Sequence, residues 1–225
     1  MPSASEILAS LQAIANDAAT LAIVWHAVIF LALAAVAAGF RPSGRNLAWI
    51  ALLPVLSVSV VAYWYGALFN CFVFAALAAA LAFFVPREKD EKSRRGPPWA
   101  IVLGSALVAF GWTYPHFLDP SRSPLAYLYA APVGLIPCPT LSLVIGVALV
   151  SGASGGTRGA LLLAMAGLFY GLVGMVKLGV ELDAVLVAGA LGLLALVLGG
   201  ASGTTPARLW RARVAGVPPF APPTK

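Results

Sequence analysis

The 225-residue chain is predicted to be all-α and polytopic, a bundle of about seven transmembrane helices with its N-terminus outside and its C-terminus inside. Three observations predict this. Hydrophobic residues make up 61% of the chain and charged residues 10%, against about 25% charged in ordinary soluble domains, and mean hydropathy is +0.93. Charge-free runs recur from Ala18 to Phe40, Asn46 to Pro86, Gly96 to Leu118, Ser123 to Thr157, Gly159 to Val176 and Ala184 to Ala207. A spanning helix needs about 20 apolar residues, so the second run holds two crossings and the others one each. When these runs are threaded through a bilayer, twelve of the fourteen Lys and Arg residues fall on one side. That bias sets orientation. Arg41, Arg45, Arg87, Lys89, Lys92, Arg94, Arg95, Arg158, Arg208, Arg211, Arg213 and Lys225 lie inside, and Arg122 and Lys177 outside.

Residues 1–18 come first, and they are expected to form a short outer amphipathic helix. Ser3 and Glu6 have the S-x-x-E form of a capping box, and Ile7, Leu8, Leu11, Ile14, Ala15 and Ala18 recur at helical spacing. The segment has no Lys or Arg, so it lacks the charged start of a cleavable signal peptide. A polar face without cations suits docking on the protein's own outer loops at least as well as lipid binding.

The transmembrane bundle occupies residues 19–200. Its spans are placed at Ala19 to Phe40, Asn46 to Trp64, Asn70 to Val85, Trp99 to Tyr114, Gly134 to Ala153, Gly159 to Lys177 and Ala184 to Gly200. A six-helix arrangement is the main rival. Trp49, Trp99 and Trp210 at the inner boundary and Trp25, Trp64 and Trp112 at the outer one fit two aromatic belts. Gly167 with Gly171, and Ala188 with Gly192, are small residues spaced to let the last two spans approach closely. The inner loop from Pro86 to Pro98 reads as a solvated connector. Residues 201–225 form a cytoplasmic tail whose end, Val217 to Lys225, is Pro-rich and expected to lack regular structure. The net charge of +6 reports topology and anionic inner-leaflet lipid, and nucleic acid is not an expected partner. The expected partners are membrane lipid and a membrane-protein partner or a second copy.

The chemistry gathers at the outer end, where both cysteines, both histidines and five of the eight acids fall. His26 lies inside span one and Cys71 opens span three beside Asn70. Tyr114-Pro115-His116 ends span four, and Asp119 follows. Lys177, Glu181 and Asp183 fill the last outer loop, the first two at i, i+4 spacing. Most unusual is Ala130 to Thr140, with three prolines and a glycine in a stretch too apolar for an ordinary water-exposed loop. It predicts a broken or re-entrant segment before span five. Pro139 would suit the first helical position and place Cys138 near the N-cap, where backbone N–H groups favour an anion or the thiolate. A kinked helix start with Cys138 as a small buried hydrophobe is the plainer alternative.

Phe69-Asn70, the charged inner loop, Tyr114-Pro115 and Gly134-Leu135-Ile136-Pro137-Cys138-Pro139-Thr140 together resemble an uncharacterised bacterial integral-membrane family, domain of unknown function 6064. The resemblance covers roughly Leu47 to Leu198. The family carries a longer Gly-His-containing segment where this chain has His116 to Ala131, so no role carries over to His116. The resemblance implies a compact multi-span protein of the bacterial inner membrane and no known activity.

Pro137, Cys138, Pro139, Thr140, His26, His116, Cys71 and Asn70 are the candidate lining of an outer-facing cleft for a solute or ion. Cys71, Cys138, His26 and His116 are also the candidate ligands for Cu(I) or Zn(II), although they lie on four segments without motif spacing. A Cys71–Cys138 disulfide is another reading, because outward thiols meet an oxidising compartment. No cofactor and no catalytic residue is assigned. Three functions follow: a non-enzymatic accessory or assembly protein, which accounts for the short loops and the missing catalytic motifs; a small-solute or metal-ion transporter; and a membrane enzyme using Cys138.

Overall fold

The structure is a computed structural model and describes residues 3–40, 42–84, 95–154 and 156–201. Among them every regular element is helical: α1 (Ala4–Asp17), α2 (Ala19–Ala37), α3 (Gly44–Trp64), α4 (Leu68–Phe84), α5 (Pro98–Thr113), α6 (Tyr127–Ala130), α7 (Pro137–Val150), α8 (Thr157–Lys177) and α9 (Ala184–Ala201). Four of these, α2, α3, α8 and α9, are long and apolar enough to cross a membrane. Three shorter apolar helices, α4, α5 and α7, accompany them. Most of the Pro86 to Pro98 loop and nearly all of the tail lie outside the described residues, as do Arg41 and Trp210.

α1 begins with a full capping box. Glu6 N–H donates to Ser3 Oγ at 3.3 Å, and Ser3 N–H donates back to Glu6 Oε2 at 2.6 Å. The Ser3 N–H, and the Ser3 hydroxyl that donates to Glu6 Oε2 at 2.9 Å, hold the Glu6 carboxyl below the usual carboxylate range. The helix lies on the chain itself. Leu11, Ile14 and Ala15 are buried with Phe117, Leu118 and Leu135, and Asn16 Nδ2 donates to the Phe117 carbonyl at 2.9 Å while Asn16 Oδ1 accepts from Asp119 N–H at 2.9 Å.

α7 is the central helix, with ten of its fourteen residues buried. It packs on α3, α5, α8 and α9. Its contact with α5 is backbone to backbone, because a Cβ on Gly104 would stand 2.6 Å from the Gly146 carbonyl oxygen and one on Gly146 the same distance from Gly104. Gly111 opposes the Pro139 carbonyl, and Gly96 N–H donates to the Val150 carbonyl at 2.9 Å, so both ends of the pair are fixed.

α8 and α9 also pack closely. Gly167 faces Ala190, and Gly171 faces Val187. The expected pairing through Ala188 and Gly192 is corrected, however. Ala188 is exposed, and Gly192 lies under Leu103 of α5. The Lys177 and Glu181 pairing is corrected as well, because α8 stops at Lys177 and Gly179 turns the chain at φ +70°. The two residues do not share a helix.

Two of the six tryptophans assigned to membrane belts are internal clamps. Trp25 Nε1 donates to Ser57 Oγ at 2.9 Å, tying α2 to α3, and Trp112 Nε1 donates to the Leu128 carbonyl at 2.8 Å, tying α5 to α6. Trp49, Trp64 and Trp99 are exposed.

Candidate functional site

The stretch from Ala130 to Thr140 is a buried turn followed by the first turn of α7. Four consecutive backbone donors of the turn, Val133 to Ile136, are engaged. Val133 N–H bonds to Ala131, Leu135 and Ile136 N–H bond to Pro132, and Gly134 N–H bonds to Thr140 Oγ1 at 2.9 Å, while that hydroxyl donates to the Ile136 carbonyl at 2.7 Å. An apolar non-helical segment is tolerated at depth when its polar groups are satisfied in this way. Gly134 has φ +76°, and a Cβ there would run into the Trp25 indole, so both the turn and the packing demand glycine.

The helix start differs from the sequence expectation. Ile136 is the N-cap, and Pro137 opens the helix with Cys138 second and Pro139 third. The reason is that the first-turn N–H groups have no partner inside the helix, so proline costs nothing there. Those two prolines also leave Cys138 with the only N–H of the first three helical residues. The predicted anion-binding helix end is therefore largely dismantled by its own sequence.

What faces Cys138 instead is an acid of this chain. Cys138 Sγ donates to Asp183 Oδ2 at 3.2 Å, and Tyr114 OH donates to Asp183 Oδ1 at 2.7 Å. Asp183 is 1% exposed and Tyr114 fully buried. Asp183 sits in the 3₁₀ turn Glu181–Asp183 just before α9, Tyr114 follows the last residue of α5, and Cys138 opens α7. α8 makes room through Gly174, whose missing Cβ would collide with Asp183 Oδ2. Four segments thus meet on one carboxyl. His116 lies within electrostatic reach of it, and its ring packs edge-on against Phe117 at 4.4 Å.

The remaining predicted residues are distributed around this node. Asn70 Oδ1 accepts from Tyr170 OH at 3.1 Å, joining α4 to α8, and Tyr170 packs on Phe74. His26 is buried in α2, with Nδ1 2.9 Å from the Ala22 carbonyl and Nε2 3.0 Å from the Trp112 carbonyl, so it ties α2 to the end of α5. The Cys71 carbonyl accepts from Ser59 Oγ at 2.9 Å. Cys71 and Cys138 are separate free thiols, which corrects the disulfide reading. The four residues offered as metal ligands are not brought together, and among the described residues no group of three or more His, Cys, Asp or Glu is placed to hold an ion.

Asp183 is the residue that sequence reasoning left in a loop. Its signal was an acid set between Leu182 and Ala184 at the mouth of an apolar run. Another acid of that group, Asp119, is an ordinary exposed turn residue. Ser121 N–H donates to it at 2.8 Å, and that bond, with the nearby Arg122, holds its carboxyl below the usual range.

Comparison with protein-family models, curated proteins and solved structures finds no match to this chain. The geometry alone must therefore indicate its use. A carboxyl that accepts from a thiol and a phenol, inside a packed bundle, is a fastener between helices, with both its oxygens occupied.

Proposed function

We propose that this chain is a seven-span protein of the bacterial inner membrane, N-terminus outside and C-terminus inside, acting as a non-enzymatic accessory or assembly protein. Four helices long and apolar enough to cross a membrane and three shorter apolar ones support this count, with the buried turn before the 14-residue α7 in the role of the broken segment. The Lys and Arg bias supports the orientation. The resemblance to the family of domain of unknown function 6064 supports the bacterial setting.

One observation carries the accessory reading. The Pro137 to Thr140 segment, where a transport cleft or a reactive thiol was expected, is closed: Pro137, Pro139 and Thr140 are buried, and Cys138 is bonded to Asp183 where two apolar clusters join. An enzyme reading would have paired Cys138 with His116. Transport retains one supporting observation, the buried acid Asp183, since ionisable groups inside membranes often mark pathways. A transport cycle would have to open the Tyr114–Asp183–Cys138 node.

The test is labelling of intact spheroplasts with a membrane-impermeant maleimide, using single-cysteine versions of the chain. Cys138 is expected to stay unlabelled until the protein is unfolded in SDS, and then to label without reductant. Rapid labelling of Cys138 in the native protein would overturn the closed-site reading and favour transport.

A further inference from the structure

The open feature of the molecule lies on the other side of α2. This helix is pinned at its outer half by Trp25 and His26 and by α1, whereas its inner half stands off the bundle, with Leu33 and Val36 exposed at 43% and 52% and Phe40, just past its end, at 58%. Between that half and α5 runs a groove of about 1090 Å³, walled by Val108, Ala109 and Trp112 and ending at Arg95. Among the described residues its lining contains this one cation and no acid. Two of its three hydroxyls are already engaged by their own helices, Thr113 by Ala109 and Ser151 by Ala148, and Ser105 is the third. Water needs about two to four polar partners, and these walls offer few.

We propose that this groove binds one anionic glycerophospholipid, with its phosphate at Arg95 and an acyl chain lying between α2 and α5. The inference rests on the membrane placement proposed above. The shape and charge select the occupant. The lining reaches from Thr113, the last residue of α5, to Arg95, just before its first, and a sixteen-residue helix is about 24 Å long, enough for a full acyl chain; the volume exceeds the upper range of small-ligand cavities, about 300–1,000 Å³. A single guanidinium at one end of an apolar slot complements an amphiphile with an anionic head.

Native mass spectrometry of the full chain in mild detergent tests this, with phosphatidylglycerol or phosphatidylcholine of identical acyl chains added. The wild type should retain one lipid and prefer phosphatidylglycerol. Arg95→Gln should lower that preference about fivefold while both lipids still bind. Ala109 faces the groove and is exposed, so Ala109→Phe should reduce retention of both lipids about tenfold, with thermal unfolding unchanged. Should that variant fail to fold, Ser105→Phe on the same wall gives the same reading. Unchanged retention in the filled variant, unchanged preference in Arg95→Gln, or a lipid-free dimer would each overturn the proposal. Cys138 labelling is independent of the groove, so loss of lipid binding with Cys138 still protected removes this inference alone.

Discussion

Asp183 is held by two hydrogen bonds and by an absence, the missing side chain of Gly174. The two bonds are not equivalent. Hydrogen bonds between membrane helices contribute on average about 0.6 kcal/mol and at most about 1.7 kcal/mol, so Tyr114→Phe should cost about 1 kcal/mol. Asp183→Ala leaves a buried phenol and a thiol without an acceptor and opens a void, and stranded buried groups cost about 1–3 kcal/mol each. Its effect should therefore be at least twice that of Tyr114→Phe, read as unfolding in mixed micelles. Equal effects would mean that the Tyr114 bond carries the whole contribution of Asp183 and the thiol none. Ser142 is the contrasting residue, a fully buried hydroxyl of α7 without a hydrogen-bond partner among the described residues.

At the scale of elements, the α5–α7 contact sets how the bundle is built. Gly104 and Gly146 bring two backbones together, and a methyl at either position meets a carbonyl oxygen at 2.6 Å, which a rotamer change cannot relieve. Gly146→Ala is expected to destabilise by about 1–3 kcal/mol, the usual cost of overpacking a fitted interface. Gly199→Ala, whose added carbon meets no other helix within 4 Å among the described residues, should be neutral or slightly stabilising because alanine is the better helix former. Parity between the two variants would show that the helices separate easily. The G-x-x-x-G of α8 was visible in the sequence because both its members lie on one helix. The α5–α7 contact was not, since its glycines, Gly104 and Gly146, lie 42 residues apart on different helices.

For the whole molecule, the charge bias makes a direct prediction. A reporter fused after Lys225 should be cytoplasmic and one placed before Pro2 periplasmic. Both ends on the same side would remove the seven-span reading, and with it the position of Arg95 at the inner mouth of the groove.

The sequence by itself determined that this chain is helical and apolar, where most helices begin and end, and that α1 is capped by Ser3 and Glu6. These properties depend on run length, on turn residues and on neighbours within one helical turn, all of which are local. The tertiary structure decided the partners. Tyr114, Cys138 and Asp183 meet from positions 45 and 69 residues apart from the acid, Gly192 turns to α5 rather than α8, and Trp25 turns inward to Ser57. Membrane helices are apolar on every face, so periodicity does not distinguish the side that meets a helix from the side that meets lipid. Only the fit of small residues and the placement of a few polar atoms make that choice, and both exist only once the helices are packed.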